Sequence, residues 1–155
     1  MHKKTRVYIV SILIPLAVGA LSALLTRNSM EDYAALAQPP LSPPGWLFPI
    51  VWTILYTLMG ISSARIYLSS EPKKNSALRT YAVQLAVNFF WTILFFNLDA
   101  RLLALVWLIL LDILVIRMIV QFRQIDRPAA LLQIPYLLWL LFATYLNAGV
   151  WLLNR

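Results

Sequence analysis

The side chains in this chain that could do chemistry are indoles and amides, with few of the usual acids, bases and nucleophiles. Gln84, Asn88 and Trp91 fall at helical spacing and share one face. Trp139, Ala143 and Asn147 recur every fourth residue, and Trp52 and Tyr56 stand four apart. Indole rings present large, rigid, polarizable faces. An apolar wall of such faces with a few placed amides is the usual form of a small-molecule pocket. Asp112 is a carboxylate in the middle of an apolar segment. Two readings of it stand side by side: a functional group, or a hydrogen bond to a Trp N–H or a hydroxyl on a neighbouring helix.

The chain has no cysteine, one histidine and four glycines. Disulfides and thiolate metal sites are therefore excluded, and His2, in the leading tail, reads as a solvated residue. No Ser-His-Asp or Cys-His arrangement can be built, and no zinc site. Haem with a His or Cys axial ligand is equally closed, and a Gly-rich phosphate loop is missing. No metal and no cofactor is expected.

These residues must be positioned by helices in lipid. Of 155 residues, 61% are apolar and only 12% charged, outside the soluble range. Five apolar segments, about 7–25, 46–68, 81–98, 102–121 and 129–153, each approach the ~20 residues a helix needs to cross a bilayer. Hydrocarbon offers backbone groups no partner, so each must be helical. The expected architecture is a single domain, 1–155, an all-α bundle of five transmembrane helices. The first apolar run is too long for a signal peptide's core and has no clear cleavage site.

The net charge is +7, but the basic residues flank helices and form no single patch, so nucleic acid is rejected as a partner. Lys3, Lys4, Arg6, Arg65, Lys73, Lys74, Arg79, Arg117, Arg123 and Arg127 fall on one side of the bundle; only Arg27, Arg101 and Arg155 fall on the other. The excess of basic residues marks the cytoplasmic side. The N-terminus is expected inside and the C-terminus outside.

Residues 26–44 form a long loop. Ser29-Met30-Glu31-Asp32 resembles a capping box, so the spacing predicts a short helix over 30–37. Pro39, Pro40, Pro43 and Pro44 then stiffen the chain, with Ser42 expected to cap the second span and Pro43 at its first position. Such a loop reads as a lid, against the plainer reading of a return turn. Arg65 is expected to snorkel to the interface. Ala82 and Ala86 mark a small-residue face of the third span, expected to meet a second protomer, while Gln84, Asn88 and Trp91 point inward. Gly19 and Ala23 let another helix or a flat ligand approach the first span. Pro135 is expected to bend the fifth. Trp46, Tyr67, Trp107 and Trp151 suit an aromatic belt, which explains Trp52, Trp91 and Trp139 less well.

At these residues the chain resembles a known family. The run Gln38-Pro39-Pro40-Leu41-Ser42-Pro43-Pro44-Gly45-Trp46, continuing through Trp52, Tyr56 and Gly60, is similar to the signature of the tryptophan-rich sensory protein and translocator protein family. Gln84-Leu85 with Asn88, Trp91, Phe95 and Phe96 resembles its third helix. Pro135-Tyr136 with Trp139, Phe142-Ala143-Thr144, Leu146-Asn147, Trp151 and Asn154 resembles its fifth. The resemblance covers nearly the whole chain.

That resemblance implies a homodimer in the cell membrane, most simply the plasma membrane of a bacterium. It implies a pocket beneath the first loop for protoporphyrin-type tetrapyrroles and benzodiazepine-site drugs. The family's pocket positions fall on Trp52, Asn88, Trp139 and Ala143, with Tyr33 as the loop tyrosine. Trp91 and Asn147 join the binding set, Asn147 as a second hydrogen-bonding amide. The family's animal cholesterol motif is not matched: Ala148 and Gly149 stand where its tyrosines would be, and cholesterol is not expected.

A porphyrin is wide, flat and acidic at its edges. Without His or Cys to ligate iron, metal-free tetrapyrroles fit better than haem. The resemblance also implies light- and oxygen-dependent breakdown of protoporphyrin, as associated with the family's bacterial members. Such breakdown needs no acid–base catalyst, because an excited porphyrin with oxygen makes reactive species, and a nearby indole can be oxidised or can donate an electron. Trp52 and Trp139 are the expected reactive partners. Whether such a protein is an enzyme stays open at this level, as do the rival roles of tetrapyrrole transporter and non-catalytic porphyrin or stress sensor.

Overall fold

The computed structural model describes residues 2–155. Helix α1 is Lys3–Thr26; a tight turn, Arg27–Ser29, leads into the short α2, Met30–Ala34. Helix α3 is Leu47–Tyr67, and α4 is Lys74–Thr92, closed by a wider π-helical turn, Ile93–Asn97. Helix α5 is Arg101–Arg123, α6 is Arg127–Leu132 and α7 is Ile134–Leu153. No strand occurs among the described residues.

Among the described residues, four stretches are long and apolar enough to cross a membrane: Lys3–Ala34, Leu47–Tyr67, Arg101–Arg123 and Arg127–Leu153. Helix α4 has the length but is less apolar. It opens on Lys74 and Asn75, and its buried face carries Tyr81, Gln84 and Asn88. The polar face does point into the bundle, as expected, while Ala82 and Ala86 are exposed.

Helix ends depart from expectation where side chains find distant partners. Ser29 does not cap α2; its hydroxyl donates instead to Asn97 Oδ1 at 2.7 Å, and α2 stops at Ala34. Ser42 does not cap α3, which begins four residues beyond Pro43, at Leu47. The Ser42 hydroxyl turns back to the Pro39 carbonyl at 2.8 Å. Two proline pairs bracket a turn at Leu41 and keep the segment out of the helix until Gly45 has passed. Pro135 acts two residues ahead of itself: the helix is interrupted at Gln133, between α6 and α7. Its ring excludes the carbonyl four residues back, Leu131, from the helical ladder.

Helix α1 packs mainly on α3, and α4 and α7 both pack on α5. A side chain at Gly60 would run into the α1 backbone at Ser11 and Ile12, so glycine sets the closeness of that crossing. Gly19 is covered by the Tyr56 ring. Helices α3 and α6–α7 run antiparallel, with contacts Phe48–Trp139, Trp52–Tyr136, Ser62–Ala129 and Arg65–Asp126 in register.

The last of these corrects the expectation for Arg65. It does not simply snorkel but forks onto Asp126, with Nε to Oδ2 at 2.6 Å and Nη2 to Oδ1 at 3.2 Å. Asp126 also caps α6, accepting from the Ala129 amide at 3.1 Å. The hydrogen bond from the Arg65 guanidinium holds the Asp126 carboxyl below the usual carboxylate range. A depressed carboxyl stabilises the fold above its unfolded value, about 3.9, and that contribution fades as pH falls through the folded value. Asp126→Ala is expected to lower the thermal midpoint in detergent at neutral pH. The deficit should shrink as acid protonates the wild-type carboxyl; a deficit independent of pH would contradict the pairing.

Candidate functional site

The indoles and amides gather where α3, α4 and α7 meet, and they do so in three aromatic groups. In the first, Trp52 stacks on Tyr56, with centroids 5.3 Å apart, and meets Tyr136 edge-on at 6.2 Å. In the second, Trp139 sits between Phe48 at 5.9 Å and Phe142 at 5.6 Å. The third joins Trp91, Phe95 and Phe96 to Tyr33, whose ring is 5.6 Å from Phe95 and 5.2 Å from Phe96. Trp52 and Trp139 are half-buried against the core, whereas Trp91 is buried.

Tyr136 is the hub. Its hydroxyl donates to Gln84 Oε1 at 2.7 Å and accepts from Asn88 Nδ2 at 2.9 Å. All three side chains are almost completely buried. The same hydroxyl thus ties the polar face of α4 to α7 and orients Asn88. Asn88 Oδ1 is buried and has no hydrogen-bond partner.

The other amide of the expected set is differently used. Asn147 Oδ1 accepts from Trp91 Nε1 at 3.0 Å, and its Nδ2 donates to the Arg101 carbonyl at 2.9 Å. Both ends are occupied, so Trp91 and Asn147 bind α4 and α5 to α7. Ala143 is buried on α7 one turn from each of Trp139 and Asn147. Tyr33 belongs with the Phe95–Phe96 group.

Asp112 is answered by a hydroxyl on the neighbouring helix, one of its two expected readings. Thr144 Oγ1 lies 2.7 Å from Asp112 Oδ2 and 2.9 Å from the Leu140 carbonyl. Trp107, read as a belt residue, instead donates to the Val87 carbonyl at 2.8 Å and ties α5 to α4.

Tyr136 and Thr144 were not among the expected site residues. The signal for Tyr136 was in the spacing, since it precedes Trp139, Ala143 and Asn147 on the same stripe of α7. No group of His, Cys, Asp and Glu that could hold a metal ion occurs among the described residues.

The first loop and the α4–α5 hairpin are tied to neighbouring helices at one end of the bundle. Asn97 Nδ2 donates to the Leu25 carbonyl at 3.0 Å, Asn154 pairs with Ala37, and Tyr145 donates to the Pro40 carbonyl at 2.7 Å. Pro39 rests on Gly149, where a β-carbon would lie 2.5 Å from the ring. Gly149, where the animal cholesterol motif has a tyrosine, here seats the loop.

Comparison with known proteins agrees with this architecture. A model of the TspO/MBR family matches residues 11–152. The chain is 37% identical to the tryptophan-rich protein TspO of Chlorobaculum tepidum over 99% of each chain. It is 41% identical to the tryptophan-rich protein TspO of Archaeoglobus fulgidus, over 94% of this chain and 95% of the other. It is 37% identical to the translocator protein of Bos taurus, over 92% and 87%. With several membrane-length apolar helices, the protein is a multi-pass membrane protein, and it belongs to the TspO/MBR family.

Proposed function

We propose that this protein binds metal-free, protoporphyrin-type tetrapyrroles between Trp52, Trp139 and Ala143, and promotes their light- and oxygen-dependent degradation. Benzodiazepine-site drugs occupy the same pocket. The observation that carries the reading is Asn88 Oδ1, a buried acceptor without a hydrogen-bond partner on a side chain held by Tyr136, whose ring meets Trp52. It suits a pyrrole N–H or a protonated acid arm. Trp91 and Asn147 serve mainly by holding the helices, since their polar atoms are taken up by each other and by Arg101.

On this reading α4 also crosses, as the third of five spans along the chain. It packs between α1 and α5, and its polar residues face inward, away from lipid. The N-terminus lies in the cytoplasm, the first loop and C-terminus outside, and the membrane is the plasma membrane. A groove of about 350 Å³ between α1 and α4, lined by Val18, Leu21, Ala82, Ala86, Phe89 and Phe90, is the face offered to a second copy.

A titration with protoporphyrin in the dark tests the binding site. Saturable quenching of tryptophan fluorescence is expected for the wild type. Asn88→Leu should weaken binding by about tenfold, the worth of one buried hydrogen bond. Equal affinity in the variant would remove Asn88 from the site. No binding at all would sink the tetrapyrrole reading.

A further inference from the structure

The segment between α2 and α3 does not cross over the bundle in solvent; it runs down the flank of α7. Ala37 exchanges two hydrogen bonds with the side chain of Asn154, its N–H to Oδ1 at 3.0 Å and its carbonyl from Nδ2 at 2.7 Å. Pro39 then lies on Gly149, and Pro40 accepts from Tyr145. From Asn154 to Tyr145 the helix descends about 13 Å, at 1.5 Å per residue. Tyr145 stands two residues below Asn147, whose amide meets the first residue of α5. The low point of the segment therefore lies at the depth where α5 enters its apolar stretch.

Non-helical backbone at that depth is costly because its N–H groups lack water. Pro39, Pro40, Pro43 and Pro44 have no N–H to satisfy. Carbonyls of Ala37, Pro39, Pro40 and Pro44 accept from Asn154, Ser42, Tyr145 and Leu47. The composition is thus suited to a strap laid along a membrane helix.

Leu41 sits at the bottom of this strap with φ at +71°, a left-handed conformation that leucine rarely adopts. Its side chain is turned away from the bundle and is 83% exposed, and Trp46 is 68% exposed. Trp46, at the mouth of α3, and Ile50 and Ile54, on its next two turns down, are all exposed and four residues apart, one apolar stripe. Leu41 extends that stripe onto the strap. A strained backbone that aimed leucine into water would be doubly unfavourable; aimed at lipid, it gains burial.

We propose that Leu41 and Trp46 are seated in the lipid at the bilayer interface, so that lipid holds the outer edge of the strap while α7 holds the inner edge. The first loop is then fastened partly by the membrane itself. The groove between α1 and α4 is lined by other residues, so a second copy there leaves this edge free.

The chain has no cysteine, so Leu41→Cys supplies a single thiol for an environment-sensitive nitrobenzoxadiazole probe. An Asp99→Cys variant, in the exposed hairpin at the same end of the bundle, gives the aqueous comparison. Both are reconstituted in phosphatidylcholine–phosphatidylglycerol vesicles. Emission from position 41 should be blue-shifted relative to position 99, quenched by lipids spin-labelled near the headgroup end of the acyl chain, and shielded from aqueous iodide. Iodide quenching at position 41 equal to that at position 99, without lipid quenching, would overturn the proposal. So would efficient Leu41→Cys disulfide dimers in membranes, which would place a second copy on this edge.

Discussion

Replacing Gly60 with leucine is expected to abolish the folded bundle. The β-carbon alone would press on the backbone of Ser11 and Ile12, and backbone in a helix cannot rotate away as a side chain can. Helix α1 must then lift from α3, its main neighbour. Overpacking costs typically 1–3 kcal/mol where side chains can adjust, and roughly the upper end or more where they cannot. That is a large share of the roughly 5–15 kcal/mol that holds a domain together. Size-exclusion profiles and thermal midpoints in one detergent would check it. The expected order is wild type, then Gly60→Ala with a clear loss, then Gly60→Leu with no monodisperse peak. A Gly60→Leu protein with unchanged midpoint would show that α1 and α3 do not meet closely here.

The second large effect is expected at Tyr136. Changing it to phenylalanine preserves the ring against Trp52 but leaves Gln84 Oε1 and Asn88 Nδ2 without their partner. Each buried polar atom so orphaned costs about 1–3 kcal/mol, so the variant should lose about 3 kcal/mol of stability. The loss has an internal control. Gln84→Leu and Asn88→Leu, added to Tyr136→Phe, remove the orphaned atoms as well, and most of the lost stability should return. If the triple variant is less stable than the single one, the three side chains do not form one network.

Much of the fold was legible because lipid leaves little choice. Segments of membrane length had to be helices, and the amide face of α4 had to turn inward with its alanine face outward. What could not be read were the partners that lie far apart in sequence. Ser29 has the spacing of a capping residue, yet it prefers Asn97, 68 residues away. Arg65 has the position of a snorkelling residue, yet Asp126, 61 residues on, offers a bidentate carboxylate. Proline spacing suggested a helix starting at Pro43, but two proline pairs around a turn at Leu41 keep the chain out of the helix, which begins at Leu47 after a turn at Gly45 and Trp46. In the site, spacing identified which faces carry Trp52, Asn88, Trp139 and Ala143. It did not show that Tyr136 fixes the orientation of Asn88, because that depends on how α4 and α7 align. Nor did it show that Asn147 is already bonded at both ends.

The absence of cysteine and the single terminal histidine keep the chemistry simple to interpret. A tetrapyrrole bound between Trp52 and Trp139 would absorb light itself, and the protein would contribute position, exclusion of water and oxidisable indoles. Transport would instead move porphyrin in the dark, and sensing would leave it intact.

The most direct measurement is illumination of a protoporphyrin complex of the wild type and of a Trp52→Phe, Trp139→Phe double variant, in air and at equal occupancy. Porphyrin absorbance should fall in the wild type and persist in the variant, with oxidised indole found in the wild type alone. Equal loss of porphyrin in both proteins, with binding retained, would contradict the role assigned to the two indoles.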